Sequence, residues 1–290
     1  MVFVMLHIGI VGNGFVGKAT RQLESSSVQL LVYDVCPDQC SSPGLTLQEL
    51  ASCHIIFICV PTPMDSTGKC YLHIVESVVE QLKVVINKEH TSLVIRSTVL
   101  PGTSDRLGCY FMPEFLTEKN YINDFIDCSD WIFGLLGDPI TDKLFQENIS
   151  KLFECAYYED KIKYNKLHFC MNREAEMIKY FRNCYLATKV SFCNEMDEFC
   201  RMKGINYENV RELATRDKRI GSSHTNVPGH DDKRGFGGTC FPKDTSALLY
   251  EMNQMNMKSY VLSSVVHRNM EVDRNEMDWN KNKGRCVIEL

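Results

Sequence analysis

The sequence predicts an α/β protein in two parts: a doubly wound parallel sheet, then a helical domain built on a long central helix. Three observations predict it. The first half alternates short β-branched runs with amphipathic stretches, the rhythm of strand, crossover helix and parallel strand. A glycine-rich motif ends the first apolar run and opens the first helical stretch. After residue 171 the punctuation changes to that of one helix about 30 residues long. A chain of 290 residues suits about two domains, and the expected division is 1–171 and 172–290.

In chain order, the apolar runs predict strands over 3–11, 29–33, 55–60, 92–96, 109–112 and 131–136. Helical spacing between them predicts helices over 16–24, 46–51, 74–86 and 103–107. A run as continuous as Ile55-Ile56-Phe57-Ile58-Cys59-Val60 implies burial on both faces of the sheet. The long helix has Asn172 as its expected N-cap, Glu174 and Glu176 to complement its first turn, and Lys203-Gly204 as its stop. Its apolar residues, among them Met177, Phe181, Val190, Cys193, Met196 and Phe199, cover more than one stripe. Such a helix is expected to be buried on several sides, as a spine shared with a second subunit. Beyond it the pattern predicts a helix over 207–215, a polar loop over 217–238, and helices over 243–255 and 259–277.

Composition narrows the function. With 32 basic and 37 acidic residues, a formal charge of -5 and no block of like charge, a nucleic-acid or anionic-membrane footprint is excluded. No apolar stretch approaches the roughly 20 residues of a membrane span. The opening MVFVMLHIGIV has neither a basic start nor a small-residue cleavage site, so a cytoplasmic protein with reduced thiols is expected. Most of the fourteen cysteines then serve as small buried hydrophobes. The nearest approach to a metal-binding pair, Cys36 and Cys40, has no matching pair downstream, and no metal site is expected.

Gly12-Asn13-Gly14-Phe15-Val16-Gly17 is a G-x-G-x-x-G placed between a strand and a helix. Its glycines permit a tight turn and let the backbone approach a pyrophosphate, which defines a Rossmann-like nucleotide corner. Asp34 ends the next strand 22 residues after Gly12, where a carboxylate accepts ribose hydroxyls and repels a 2′-phosphate. The expected cofactor is therefore NAD. Val60-Pro61-Thr62-Pro63 and Arg96-Ser97-Thr98-Val99 end later strands, and the carboxyl ends of strands line the crevice of such a sheet. Pro113-Glu114-Phe115-Leu116-Thr117-Glu118 puts two carboxylates four residues apart, on one face if the stretch is helical.

On the long helix, Lys179 and Asn183 stand four apart and share a face. A lysine among apolar neighbours suits proton transfer, and an asparagine amide suits an oxyanion. The decapeptide Gly235-Phe236-Gly237-Gly238-Thr239-Cys240-Phe241-Pro242-Lys243-Asp244 brings a cysteine to a helix start, with Pro242 as the expected first helical residue. Beside Lys243, Cys240 is a thiolate candidate, and Asp244 can hold a water or the thiol proton. His224, His230, Asp231 and Asp232 read as a solvated loop rather than as metal ligands.

These segments, GIVGNGFVG, VPTP, RSTVLPGT, PEFLTE, EAEMIKYFRN, Arg219-Ile220-Gly221 and RGFGGTCFPKD, occur in the order found in the UDP-glucose 6-dehydrogenase family, within the wider UDP-glucose and GDP-mannose dehydrogenases. The resemblance spans residues 3 to 250. It implies a four-electron oxidation of a nucleotide-sugar C6 alcohol, that of UDP-glucose, with NAD and one water. Cys240 would hold the intermediate as a thiohemiacetal and then a thioester, with Lys179 and Asn183 steadying the oxyanion. Thr98 and Asp244 would orient water, and Glu114 would assist acid/base chemistry. Glu118, Lys243, Ser97 and the loops at 12–17 and 60–63 would lie at the cofactor. Phe115, Leu116, Arg219, Phe236 and Gly237 would lie at the substrate.

The stretch 221–235 is a few residues longer than in the animal enzymes of that family. Family members also continue into a second α/β domain that holds UDP; residues 284–288 resemble the start of its first strand, so a short form without that domain is expected. Three alternatives remain beside UDP-glucose: another sugar nucleotide (GDP-mannose or UDP-N-acetylmannosamine), a two-electron 3-hydroxyacid-type enzyme, and a catalytically silent nucleotide-sugar-binding paralogue. The two-electron enzyme has no use for Cys240.

Overall fold

In a computed structural model of the chain, residues 5–289 are described. Seven strands form one sheet in the order β2-β1-β3-β4-β5-β6-β7. They are β1 (Leu6–Val11), β2 (Val28–Tyr33), β3 (Ile55–Ile58), β4 (Ser92–Ile95), β5 (Tyr110–Phe111), β6 (Trp131–Leu135) and β7 (Leu167–Met171). The sheet is doubly wound: the chain moves to one side of β1 for β2 and to the other for β3, so the connections leaving the carboxyl ends of β1 and β3 run in opposite directions, the place where ligands bind in such sheets. The helices are α1 (Phe15–Thr20), α2 (His73–Val85), α3 (Thr103–Arg106), α4 (Tyr121–Ile126), α5 (Pro139–Tyr158), α6 (Asn172–Lys203), α7 (Tyr207–Ala214), α8 (Cys240–Gln254) and α9 (Tyr260–Arg268).

Two compact units divide the chain. One comprises Met1–Thr62 and Leu72–Lys179, the other Pro63–Tyr71 and Tyr180–Leu290. In the first, alternate strand residues feed opposite layers. Ile8, Ile10, Ile55 and Phe57 pack with Phe133, Phe145 and Phe153, whereas Ile56, Ile58 and Ile95 pack with Val75, Val79 and Leu82 of α2. Both faces are thus covered, which is why β3 reads as an uninterrupted apolar run. The second unit has smaller clusters: Met64 with Trp279 and Cys286, Ala187 with Phe236 and Val265, and Cys193 with Cys200 and Tyr207.

Several expectations are corrected. β6 pairs antiparallel to β5, through Phe111 and Gly134, so the sheet is mixed rather than wholly parallel. Strand direction depends on the path of the connection, and the apolar pattern is the same for either direction. The sequence reading omits α4, α5 and β7, although Asp138 caps α5 by accepting from the Ile140 and Thr141 N–H groups at 2.9 and 3.0 Å, with Pro139 in its first turn. Segment 46–51 is a 3-10 turn, Leu47–Ser52. Phe3 and Val4, expected in β1, lie outside the described residues.

Asn172 is the first residue of α6 and not its cap. Its amide donates to Asp105 Oδ1 (3.0 Å) and the Cys109 carbonyl (2.9 Å), while the Glu174 carboxylate takes the Met171 N–H (2.8 Å). Glu176 is fully buried and accepts from the Gly102 and Ser104 N–H groups, so it holds the start of α3. α6 is 32 residues long but not buried all round: Phe181, Tyr185, Phe192 and Phe199 are more than half exposed. Its buried positions include Asn183, Ala187, Ser191 and Asn194, a stripe that apolar spacing alone does not pick out. α8 begins at Cys240, two residues before Pro242. The expected helix 259–277 ends at Arg268 and widens into a π turn over Asn269–Asp273, closed by the Arg274 N–H on the Asn269 carbonyl (2.8 Å). The tail around residues 284–288 pairs with Met64, whose N–H reaches the Cys286 carbonyl at 2.8 Å.

Of the fourteen cysteines, nine are buried and none is in a disulfide. No described helix is long and apolar enough to cross a membrane.

Candidate active site

The nucleotide corner of the first unit is built by β1, β2 and α1. Gly12 turns the chain at φ +93°, and a Cβ there would meet the Cys59 carbonyl oxygen at 2.7 Å. A Cβ on Gly17 would lie 2.0 Å from the Gly12 carbonyl oxygen, so α1 packs onto the loop only with glycine at that position. Asp34 Oδ2 accepts the Asn13 N–H at 2.7 Å, which ties the end of β2 to the loop, and its Oδ1 accepts the Cys36 N–H at 2.9 Å. A carboxylate has about four lone-pair sites, so both oxygens keep acceptor capacity for ribose hydroxyls. At Gly14 a Cβ would meet no atom within 4 Å, leaving space over the loop beside the partly buried Phe15 and Val16. These residues fit the adenosine diphosphate half of NAD.

The next two strand ends are tied together. The Thr62 hydroxyl donates to the Thr98 carbonyl (2.8 Å) and the Ser97 hydroxyl to the Val60 carbonyl (2.6 Å). Pro61 is exposed and Thr98 buried. Arg96 of the second strand-end motif belongs to a buried cluster whose other members the motif does not reveal. Arg96, 1% exposed, hydrogen-bonds Thr20 through Nη1 and lies 5.5 Å from the Phe125 ring centroid. Burial lowers its guanidinium pKa and pushes the neighbouring Cys59 thiol up to about 11.

After β5 the chain is irregular up to a turn that begins at Glu118, not helical, so Glu114 and Glu118 do not share a helix face: Glu114 is buried and Glu118 exposed. Glu114 meets Lys179 instead. Lys179 Nζ donates to Glu114 Oε1 at 2.6 Å and to the Glu114 carbonyl at 2.7 Å, and lies 5.7 Å from the Phe115 ring centroid. Glu114 Oε2 accepts the Leu116 N–H at 2.8 Å. Both side chains are nearly inaccessible, and such a pair persists in the interior because every charge is matched. A proton has a direct path between ammonium and carboxylate.

In the second unit Cys240 is the first residue of α8, with its Sγ 3.9 Å from the Thr239 hydroxyl. Asp244, one turn on and fully buried, accepts the Asn183 amide at 2.6 Å on Oδ2 and the Lys243 ammonium on Oδ1. Burial acts to lower the Lys243 pKa, but the adjoining Asp244 carboxylate outweighs it and holds the ammonium above the ordinary lysine range. Burial pushes the nearby Cys70 thiol up to about 11.

The glycine-rich loop before Cys240 is clamped by residues the sequence reading does not include. Asn269 brackets Phe236, accepting its N–H (2.8 Å) and donating to its carbonyl (2.9 Å). A Cβ on Gly237 would lie 2.5 Å from the Arg274 guanidinium, itself held by Asp231 and Asp278. An asparagine and an arginine 33 and 37 residues beyond the loop residues they hold, Phe236 and Gly237, carry no local signal. His224 packs at 5.7 Å from the Phe241 ring, and among the described residues no cluster of metal-ligating side chains is found. Arg219 is not brought to Cys240; it is exposed and paired with Asp217.

Residues 44–154 match the NAD binding domain, and residues 173–271 the central domain, of the UDP-glucose/GDP-mannose dehydrogenase family. The chain is 32% identical over 234 residues to the UDP-glucose 6-dehydrogenase YwqF of Bacillus subtilis, covering 76% of this chain and 49% of that protein. It is 32% identical over 254 residues to a UDP-glucose 6-dehydrogenase of Pseudomonas aeruginosa, covering 80% of this chain and 53% of that one. It spans about half the length of these curated relatives. A UDP-glucose dehydrogenase structure from Pyrobaculum islandicum superposes with a TM-score of 0.77 at 24% identity, over 92% of this chain and 68% of that one, and so shares the fold. With the two family domains matched in order over 44–154 and 173–271, the chain belongs to the UDP-glucose/GDP-mannose dehydrogenase family.

Proposed function

We propose that the protein oxidises the C6 alcohol of UDP-glucose to the carboxylate of UDP-glucuronate, a four-electron reaction in which Cys240 is the covalent nucleophile. The observation that carries this reading is Cys240 at the start of α8 with Asp244 one turn on, fixed between Asn183 and Lys243. NAD, held at Asp34 and the 12–17 loop, supplies hydride acceptance in each oxidation stage.

The chain's own groups do the rest. An alcohol oxidised twice needs its aldehyde retained, and the Cys240 sulfur does this by adding to the aldehyde carbon as a thiohemiacetal. The carbonyl π pair moves to oxygen, which the Asn183 amide and Lys179 ammonium stabilise as donors. Asn183 spends one of its two amide hydrogens on Asp244 and has the other for that oxygen. Once the adduct is a thioester, a water oriented by Thr98 and Asp244 attacks the acyl carbon, the C–S bond breaks, and the sulfur pair leaves as thiolate. Glu114 takes the proton from the water, through the Lys179 pair. Phe115, Leu116, Phe236 and Gly237 contact the sugar nucleotide, Arg219 exchanges Asp217 for its phosphates, and Glu118, Ser97, Lys243 and 60–63 border the cofactor.

The deciding experiment is NADH formed per mole of limiting UDP-glucose, beside GDP-mannose and UDP-N-acetylmannosamine. Two per UDP-glucose is expected. One per substrate would point to the 3-hydroxyacid-type chemistry, two from another sugar would reassign the substrate, and none with NAD bound would indicate a silent paralogue. We assign the protein to the cytoplasm, since none of its fourteen cysteines is in a disulfide. We also assign it at least a homodimer: Phe181, Tyr185, Phe192 and Phe199 recur at intervals of four and seven residues along one exposed face of α6. A monomer by light scattering at micromolar concentration would overturn that assignment.

A further inference from the structure

Five of the fourteen cysteines are not buried, and two of these, Cys36 and Cys40, flank one 3-10 turn, Pro37–Gln39, directly after the nucleotide-corner carboxylate Asp34. The turn is closed by the Gln39 N–H on the Cys36 carbonyl (2.9 Å) and the Cys40 N–H on the Pro37 carbonyl (3.1 Å). The Cys40 sulfur is part of the corner. It donates to the Asp34 carbonyl at 3.2 Å, accepts the Asp34 N–H at 3.3 Å, and lies 4.0 Å from the carbonyl oxygen of Cys36. The Cys36 N–H binds Asp34 Oδ1, and the Gln39 carbonyl accepts the Asn13 side-chain amide at 2.7 Å. Among the described residues, the side-chain hydrogen bonds that leave this turn run to Asp34 or to Asn13 of the glycine loop.

We propose that Cys36 and Cys40 form a reversible disulfide, driven by a low-molecular-weight disulfide such as oxidised glutathione, which loosens the Asp34 corner and weakens dinucleotide binding. The coupling rests on the reading of Asp34 as the ribose carboxylate. The exposed Cys36, as thiolate, attacks the glutathione disulfide and expels one glutathione thiolate; Cys40, having given its proton to solvent, attacks the Cys36 sulfur and expels the second. Two protein thiols lose two electrons, one external disulfide gains them, and the two protons end on the two glutathiones. Forming the S–S bond consumes the Cys40 thiol hydrogen, so the hydrogen bond it donates to the Asp34 carbonyl is lost and the sulfur is redirected to Cys36. Buried thiols such as Cys53, Cys59 and Cys109, pushed up to about 12, 11 and 12 by burial, stay protonated and out of reach.

The test uses the Cys240→Ser protein, so that the nucleophile proposed above does not react, and reads NAD affinity by calorimetry. After oxidised glutathione, the chymotryptic fragment 34–45, which holds no other cysteine, should lack two hydrogens and regain them with dithiothreitol. The NAD Kd should rise about tenfold and return on reduction, and Cys36→Ser should abolish the response. A fragment with two free thiols or only glutathione adducts would overturn the pair, and a disulfide with unchanged Kd would overturn the coupling. Unchanged NAD affinity in reduced Asp34→Ala would sink the ribose reading instead, while the fragment mass would still decide the thiol pair.

Discussion

Two glycine-rich loops, one in each unit, solve the same problem differently. The loop at 12–17 is held almost entirely by its neighbours along the sheet: the Gly12 N–H on the Tyr33 carbonyl (2.8 Å), Asp34 on Asn13, and α1 packed onto Gly12. The loop at 235–238 is held by side chains from remote helices: Asn194 on the Gly235 N–H (3.2 Å), Asn269 on Phe236, and Arg274 against Gly237. A loop at a strand end inherits its geometry from the sheet. A loop among helices must be clamped, and each clamp is a buried polar group whose loss is expensive.

The largest effect that sharpens this contrast is Cys240→Ser. Overall NADH production from UDP-glucose should fall at least about a thousandfold, because the aldehyde is no longer retained, while NAD affinity is kept. Unchanged turnover would remove Cys240 from the mechanism. Next comes Asn269→Ala, which strands the buried Phe236 N–H and carbonyl. It should cost about 3 kcal/mol in urea unfolding and lower kcat without altering NAD binding. A loss confined to NAD affinity would break the comparison.

Asp34→Ala should raise the NAD Kd about tenfold and the NADP Kd less, with little change in stability, since the first loop keeps its sheet-borne support. Equal losses for the two cofactors would refute the ribose role. The smallest effect concerns Asp278, whose hydrogen bonds with Arg274 and Lys233 hold its carboxyl below the ordinary aspartate range. A depressed carboxyl stabilises the fold above its unfolded pKa, and the contribution is lost as pH falls through the folded value. Asp278→Asn should therefore cost about 1 kcal/mol at neutral pH and flatten the decline in stability below about pH 4; an unchanged acid limb would contradict the Arg274 clamp.

Legibility followed the same division. The glycine spacing, Asp34 after β2, the length of α6 and Cys240 at a helix start are local patterns, and all were readable. The pairing of Glu114 with Lys179, 65 residues away, was not, because nothing near either residue names its partner. Glu118 is instructive: a spacing of four suggested a face shared with Glu114, but the segment is not helical and the two part company. Arg219 matched a motif and lies paired on the surface.

The sequence by itself determined which segments are strands and helices near the nucleotide loop, where the glycines must be, and which chemistry-bearing residues are carried, since these depend on spacing and local backbone sterics. Tertiary structure alone decided the reversed direction of β6, which face of α6 is covered, and the partners of the buried charges. Those outcomes depend on the path of the chain and on matching each buried polar group with another distant in sequence, and no local period encodes that.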